Sequence, residues 1–135
     1  MKKDMHPVVH FEMPAKDRKR MAEFYQNVFG WETKQLGPEM GDYMTVTTTE
    51  TDEQRMIKTP GAINGGFFSP PADDAAQHPS LVIATRDINA TVKDITAAGG
   101  KVLGEPMEIP GIGMFVSFID SEGNRCSTLQ PKNMM

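Results

Sequence analysis

His10 and Glu12 lie two residues apart in the run Val8-Val9-His10-Phe11-Glu12-Met13. If that run is a strand, both side chains stand on one face with Cα atoms about 6.5–7 Å apart. An imidazole and a carboxylate at that spacing can present polar groups to a bound ligand. They can also act as a proton-transfer pair, because burial raises a carboxyl pKa towards neutrality. A plain structural role, with Glu12 in an ion pair to Arg125, stands beside these readings. Arg125 shares a strand face with Ser127 and offers a fork for a carboxylate or phosphate; its alternative place is the exposed start of that strand. Cys126 alternates to the other face, has no basic neighbour in sequence, and reads as an inert thiol. Gly111-Ile112-Gly113 lacks the spacing and the following helix of a phosphate loop.

Two elements must position His10 and Glu12. The strand has Val9, Phe11 and Met13 on one face and Val8, His10 and Glu12 on the other. A helix follows, capped by Asp17, with Met21, Phe24, Tyr25, Val28 and Phe29 as its apolar face and Gly30 as its end. The same order then recurs. Ser80-Leu81-Val82-Ile83-Ala84 leads to Asp87, a helix with Ile88, Val92 and Ile95 on one face, and Gly99-Gly100. Asp17 and Asp87 are 70 residues apart, and so are Gly30 and Gly100. A shared offset between independent landmarks is the mark of an internal duplication. Further strands are expected at 32–37, 43–49 and 62–69, and again at 101–109, 113–119 and 125–130. The fold class is therefore α+β: two tandem βαβββ modules, the first over about 6–70 and the second over about 80–131, joined by a linker at 71–79.

The chain has 135 residues, a net charge of −4 and one cysteine. That length suits one domain with a real core. The acidic balance argues against a nucleic-acid partner, and Lys16, Arg18, Lys19 and Arg20 read as a solvated helix face. Residues 1–7 show no apolar leader core, and no apolar run is long enough to span a membrane. A cytoplasmic setting is expected.

The segment from His10 through Asp17 to Phe24-Tyr25-x-x-Val28-Phe29-Gly30, with Asp120-x-x-Gly123-Asn124-Arg125 and the closing Gln130-Pro131, resembles the vicinal oxygen chelate superfamily. That group includes glyoxalase I, bleomycin-resistance proteins and extradiol dioxygenases. The first strand resembles most the branch of glyoxalase-related proteins. The resemblance implies a concave mixed sheet with helices on its outer face and a small-molecule cleft between the modules. It implies that Val8, His10, Glu12, Ser80, Val82, Ser127 and Leu129 face that cleft, with Asn64, Gly66 and Phe68 from the first module's last strand. It also implies a divalent metal in catalytic members, held by His and Glu on the first and last strands of each module.

Carried over residue by residue, only His10 keeps a ligand type. Ser80, Ser127 and Gly66 stand at the other three positions, and His78 lies in the linker. One imidazole with two hydroxyls and a glycine is not a zinc, nickel or iron site. The expectation is a glyoxalase-like small-molecule binder without metal, whose ligand contacts are His10, Glu12, Asn64, Phe68, Ser80, Val82, Arg125, Ser127 and Leu129. The alternatives are a metal-dependent lyase or dioxygenase of the glyoxalase I type, and a metal-free acid–base enzyme with His10 and Glu12 as catalytic residues. A homodimer is expected, since family members pair modules and the sheet edges need cover.

Overall fold

The computed structural model describes residues 4–132 apart from 55 and 73, so the leader reading at residues 1–3 and Asp73 of the linker lie outside it. The elements run β1 (Val8–Pro14), α1 (Arg18–Phe29), β2 (Glu32–Gln35), β3 (Met44–Thr47), β4 (Asn64–Phe68), β5 (Ser80–Ala84), α2 (Ile88–Ala97), β6 (Lys101–Ile109), β7 (Gly113–Ile119) and β8 (Arg125–Pro131). The order βαβββ is thus written twice, in an α+β fold. Short 3-10 turns at Pro38–Met40 and Asp74–Gln77 interrupt the connections. Among the described residues no helix is long and apolar enough to cross a membrane.

The chain divides into two compact units: His10–Pro79, and the residues up to Val9 together with those from Ser80 onwards. In the His10–Pro79 unit the strands lie in the order β2-β3-β4-β1, with β1 parallel to β4 and the other pairs antiparallel. Asp17 caps α1 by accepting from the Arg20 amide at 3.0 Å, and Gly30 closes it at φ 73°, a conformation that suits a residue without Cβ. The core holds Ala15, Met44, Val46 and a fully buried Phe67, with Phe11, Met13, Met21, Ala22, Tyr25 and Trp31 packed on it. Tyr25 and Trp31 stack at 4.5 Å between centroids, and Phe11 meets Trp31 at 5.7 Å. Such pairs add about 0.5–1.5 kcal/mol each to the burial itself.

The apolar face expected for α1 is only partly used. Met21, Ala22 and Tyr25 reach the core, whereas Phe24, Val28 and Phe29 are 56%, 56% and 61% exposed. From Phe24 to Phe29 the apolar residues span an arc of about 140° at 100° per residue. Phe24 and Val28 lie on one edge of that arc, away from the core, whereas Phe29 points between Tyr25 and Ala22 but sits at the end of the helix and stays exposed.

In the second unit the order is β5-β8-β7-β6, with β5 parallel to β8. Asp87 caps α2 by accepting from the Ala90 amide at 3.1 Å, as Asp17 does for α1. Gln130 Oε1 accepts a further α2 amide, that of Ile88, at 2.9 Å. Ile88 is buried and Val92 and Ile95 partly so, on the face read from the sequence. Leu81, by contrast, is 45% exposed. The Asp120 carboxylate accepts from the amides of Glu122 and Asn124 and from the Asn124 side chain, at 2.9–3.0 Å. These bonds to Asn124 and Glu122 hold its pKa below the ordinary carboxylate value. The Asp-x-x-Gly-Asn motif is therefore a turn that fixes where β8 begins, and with it the face on which Ser127 lies.

Asp87→Ala removes one cap from α2. It should cost about 1 kcal/mol, read as a lower denaturant midpoint with an unchanged slope.

Candidate functional site

β4 carries Gly65 and Gly66 in succession, and alternation sends them to opposite faces. A Cβ on Gly65 would meet the Phe11 ring at 2.6 Å. A Cβ on Gly66 would overlap the Tyr43 hydroxyl and ring. The missing side chains thus make room for Phe11 on the helix side and for Tyr43 on the other. In register, Phe11 pairs with Gly65 and Glu12 with Gly66, while His10 pairs with Asn64. His10 and Glu12 accordingly share the face on which Tyr43 lies.

Tyr43 joins the two. Its hydroxyl is 3.0 Å from His10 Nε2, and the Glu12 carboxylate is near enough to act on the phenol's proton affinity. Burial and the negative charge of Glu12 raise the Tyr43 pKa well above its ordinary value, so the phenol keeps its proton. Burial lowers the His10 pKa to about 4, which leaves the imidazole neutral at pH 7. The cluster therefore combines a neutral imidazole, a phenol and a carboxylate. It can accept and donate hydrogen bonds.

Of the other expected contacts in this unit, Phe68 ends β4 and is partly buried. Asn64 is already engaged: its Oδ1 accepts from the Thr48 and Thr49 amides at 2.7 and 3.1 Å. Its carboxamide pins the end of β3, leaving its nitrogen as the group available for a ligand.

In the second unit Val82 and Ser127 pair across β5 and β8, and both are buried. Ser127 Oγ lies 2.8 Å from Ser117 Oγ on β7. Leu129 is two residues on along the same face, opposite Ala84 and Phe115. Arg125 opens β8 opposite Ile119 and is partly buried, and Ser80 opens β5. Cys126 is a free, partly buried thiol on the same face as Gln130, which reaches α2.

The residues do not fit a resident divalent metal. Among the described residues no three His, Cys, Asp or Glu side chains gather to hold one. The position that would supply a carboxylate from β4 is Gly66, and its space belongs to Tyr43. Ser127 is spent on Ser117.

Two surface hollows lie elsewhere. One, of ≈ 460 Å³, runs from Pro14 to Phe24 beside the start of α1, and the other, of ≈ 550 Å³, lies between residues 4–7 and the start of α2. Neither includes His10, Glu12, Tyr43 or Ser127, and the chemistry is read from the cluster rather than from these open grooves.

Neither Tyr43 nor Ser117 stands out in the sequence as a site residue. The pair of glycines inside a short strand was the available signal, because glycine there marks a close approach.

The glyoxalase/bleomycin resistance protein/dioxygenase superfamily model matches residues 8–127. The chain belongs to that superfamily. A glyoxylase-like domain-containing protein of Didymella fabae is 31% identical over 116 residues, which is 84% of each chain. CFP32 of Mycobacterium tuberculosis, which carries a glyoxylase name, is 36% identical over 77 residues, or 57% of this chain and 30% of its own. The anthracycline biosynthesis protein DnrV of Streptomyces peucetius is 29% identical over 123 residues, covering 84% of this chain and 42% of its own. The chain thus spans less than half the length of these last two relatives. Among solved structures, a variant of Streptomyces coelicolor methylmalonyl-CoA epimerase in complex with 2-nitronate-propionyl-CoA aligns with a TM-score of 0.69 at 17% identity, over 96% of this chain and 100% of that one. The superfamily fold is shared; the low identity carries no activity across.

The His10 pKa sets a sign for stability. Unfolded, His10 has an ordinary pKa near 6.5; folded, it is lowered to about 4. The unfolded chain binds more protons in that window, so stability is full above about pH 6.5 and falls as pH drops towards 4. His10→Asn should flatten this slope in denaturation series between pH 7 and 4; an unchanged slope would assign the loss to other groups.

Proposed function

We propose that the protein binds a small molecule at the His10–Tyr43–Glu12 cluster and does so without a resident metal. The observation that carries this reading is the Tyr43 hydroxyl, which fills the space above Gly66 and lies 3.0 Å from His10 Nε2, on the face that Glu12 shares. A metal centre at this place would need further ligands, and a phenol that keeps its proton is a hydrogen-bonding group rather than a ligand. A few polar groups set among apolar side chains are the usual make-up of a small-molecule site. Superfamily membership agrees with such a role, and the epimerase structure named above holds 2-nitronate-propionyl-CoA. A lyase or dioxygenase of the glyoxalase I type would require the ligands that Gly66, Ser80 and Ser127 do not supply. Acid–base catalysis by His10 and Glu12 remains the metal-free alternative, distinguished by turnover of a bound ligand. A reducing, cytoplasmic setting suits the free Cys126 thiol.

Elemental analysis of the purified protein should return no stoichiometric iron, nickel or zinc. About one metal per chain, lost in His10→Ala, would sink the metal-free reading.

Glu12→Gln should weaken a ligand found by fragment screening roughly ten- to a hundredfold, the worth of one charge-assisted hydrogen bond of about 1.5–3 kcal/mol. Lys93→Gln, on the exposed side of α2, should leave it unchanged. Equal effects of the two substitutions, or hits confined to the two surface hollows, would refute the assignment.

We also propose that the protein is a homodimer, a reading supported by the exposed Phe24, Val28 and Phe29 on α1. Light scattering at micromolar concentration should give twice the chain mass, and a monomer mass would exclude it.

A further inference from the structure

Asn64-Gly65 is the one Asn-Gly pair in the chain. A carboxamide followed by glycine is open to attack by the next backbone nitrogen, because no Cβ shields that nitrogen. In that reaction Gly65 N bonds to Asn64 Cγ, the Cγ–Nδ2 bond breaks, and Nδ2 leaves as ammonia with the Gly65 proton. Water then opens the five-membered imide to aspartate or to isoaspartate. The ring closes only when the chain at Asn64 leaves the extended conformation and Cγ turns towards the Gly65 nitrogen. The fold opposes both movements. Asn64 and Gly65 lie in β4 between β1 and β3, where Asn64 pairs with His10 and Gly65 with Phe11 and Val46. Asn64 Oδ1 accepts from the Thr48 and Thr49 amides at 2.7 and 3.1 Å, and the Thr48 hydroxyl donates to the Ile63 carbonyl at 2.6 Å. Thr48 and Thr49 thus clasp the carboxamide and the backbone before it. The glycine cannot be exchanged for a bulkier, slower neighbour, since a Cβ at Gly65 would meet the Phe11 ring at 2.6 Å.

We propose that Asn64 is a gated modification site, which the folded chain holds closed and which deamidates when the Thr48–Thr49 clasp opens. The gate is local, because Thr48 and Thr49 lie just beyond the end of β3 at Thr47, and such ends open at lower free energy than the strands they terminate. The product acts on the cluster beside it. Isoaspartate puts one extra methylene into the main chain directly before Gly65 and Gly66, and so displaces the spaces that Phe11 and Tyr43 fill. Aspartate keeps the backbone and the acceptor oxygen but adds a negative charge next to His10 in the β1–β4 register. Each opening of the clasp therefore exposes the cluster to a one-way loss.

The test is mass spectrometry of the full chain aged at pH 8, with aspartate and isoaspartate located by peptide mapping. Asn27, Asn89 and Asn124, followed by Val28, Ala90 and Arg125, serve as internal references. In strong guanidinium Asn64 should convert ahead of all three, and in the native chain its rate should fall by roughly tenfold or more. Thr48→Val removes the hydroxyl and keeps the branched shape, and it should speed the native reaction severalfold. Equal rates in native and denatured chains overturn the proposal, as does an unchanged rate in a folded Thr48→Val. Should that variant not fold, the wild-type rate is followed through guanidinium concentrations below the unfolding midpoint. A rise ahead of the fraction unfolded supports the local gate, and a rate that only tracks global unfolding overturns it. Phe11 lies against Trp31, so chains enriched in isoaspartate should change their Trp31 emission, whereas Asn64→Asp should keep it. Unchanged emission in the isoaspartate form overturns the displacement of the two rings. Every readout is made without ligand, so the outcome is independent of the fragment screen that tests the binding reading.

Discussion

Two adjacent glycines leave the middle of β4 without a side chain on either face, and much of the His10–Pro79 unit is organised around that gap. On one side the Phe11 ring fills it and joins Tyr25, Trp31 and Phe67 in the aromatic packing under α1. On the other side Tyr43 fills it and brings its hydroxyl to His10 and Glu12. Core and candidate site are thus set by the same two residues on opposite faces of one strand. Their registers against β1 are linked, because a slip of one residue would exchange the two faces.

The electrostatics of the cluster follow from this packing. Removal from water makes the neutral forms of imidazole and phenol the stable ones. The second unit shows the same tendency in a different form, with Ser127 satisfied by Ser117 where a charged ligand would need an open coordination site. Two of the three departures from the metal-binding pattern are filled from within: the Tyr43 side chain takes the space at Gly66, and Ser127 bonds to Ser117.

The helices show how one motif can be used unequally. Both begin with an aspartate whose side chain accepts the third amide of the helix, and α1 ends on a glycine with positive φ, as α2 is followed by one. Yet α2 hides Ile88 almost completely, while α1 leaves Phe24, Val28 and Phe29 more than half exposed. Ring contacts keep Phe24 and Phe29 against Tyr25, at 5.0 and 5.9 Å, so their exposed edges are held in place.

The sequence by itself determined the order of elements and the faces of the first strand. Aspartate caps, glycine stops and alternation are local rules, acting over three or four residues, and they placed both helices and the strands of the second module within a residue of where they lie. The family was legible for the same reason, since its motifs are largely these caps and turns. The role of Tyr43 was not legible. It lies 33 residues from His10 and 23 from Gly66 in the chain, and nothing local says which side chain will enter the space a glycine leaves. The exposed part of α1 escaped for a related reason: periodicity shows which residues are apolar, whereas what packs against the helix along its length decides which of them are covered. Asn64 marks the same limit, for its side chain reads as an available contact until the fold turns its oxygen onto the amides of Thr48 and Thr49. Long-range pairing and the competition for hydrogen-bond partners exist only once the chain is folded, and these decided the chemistry of the site.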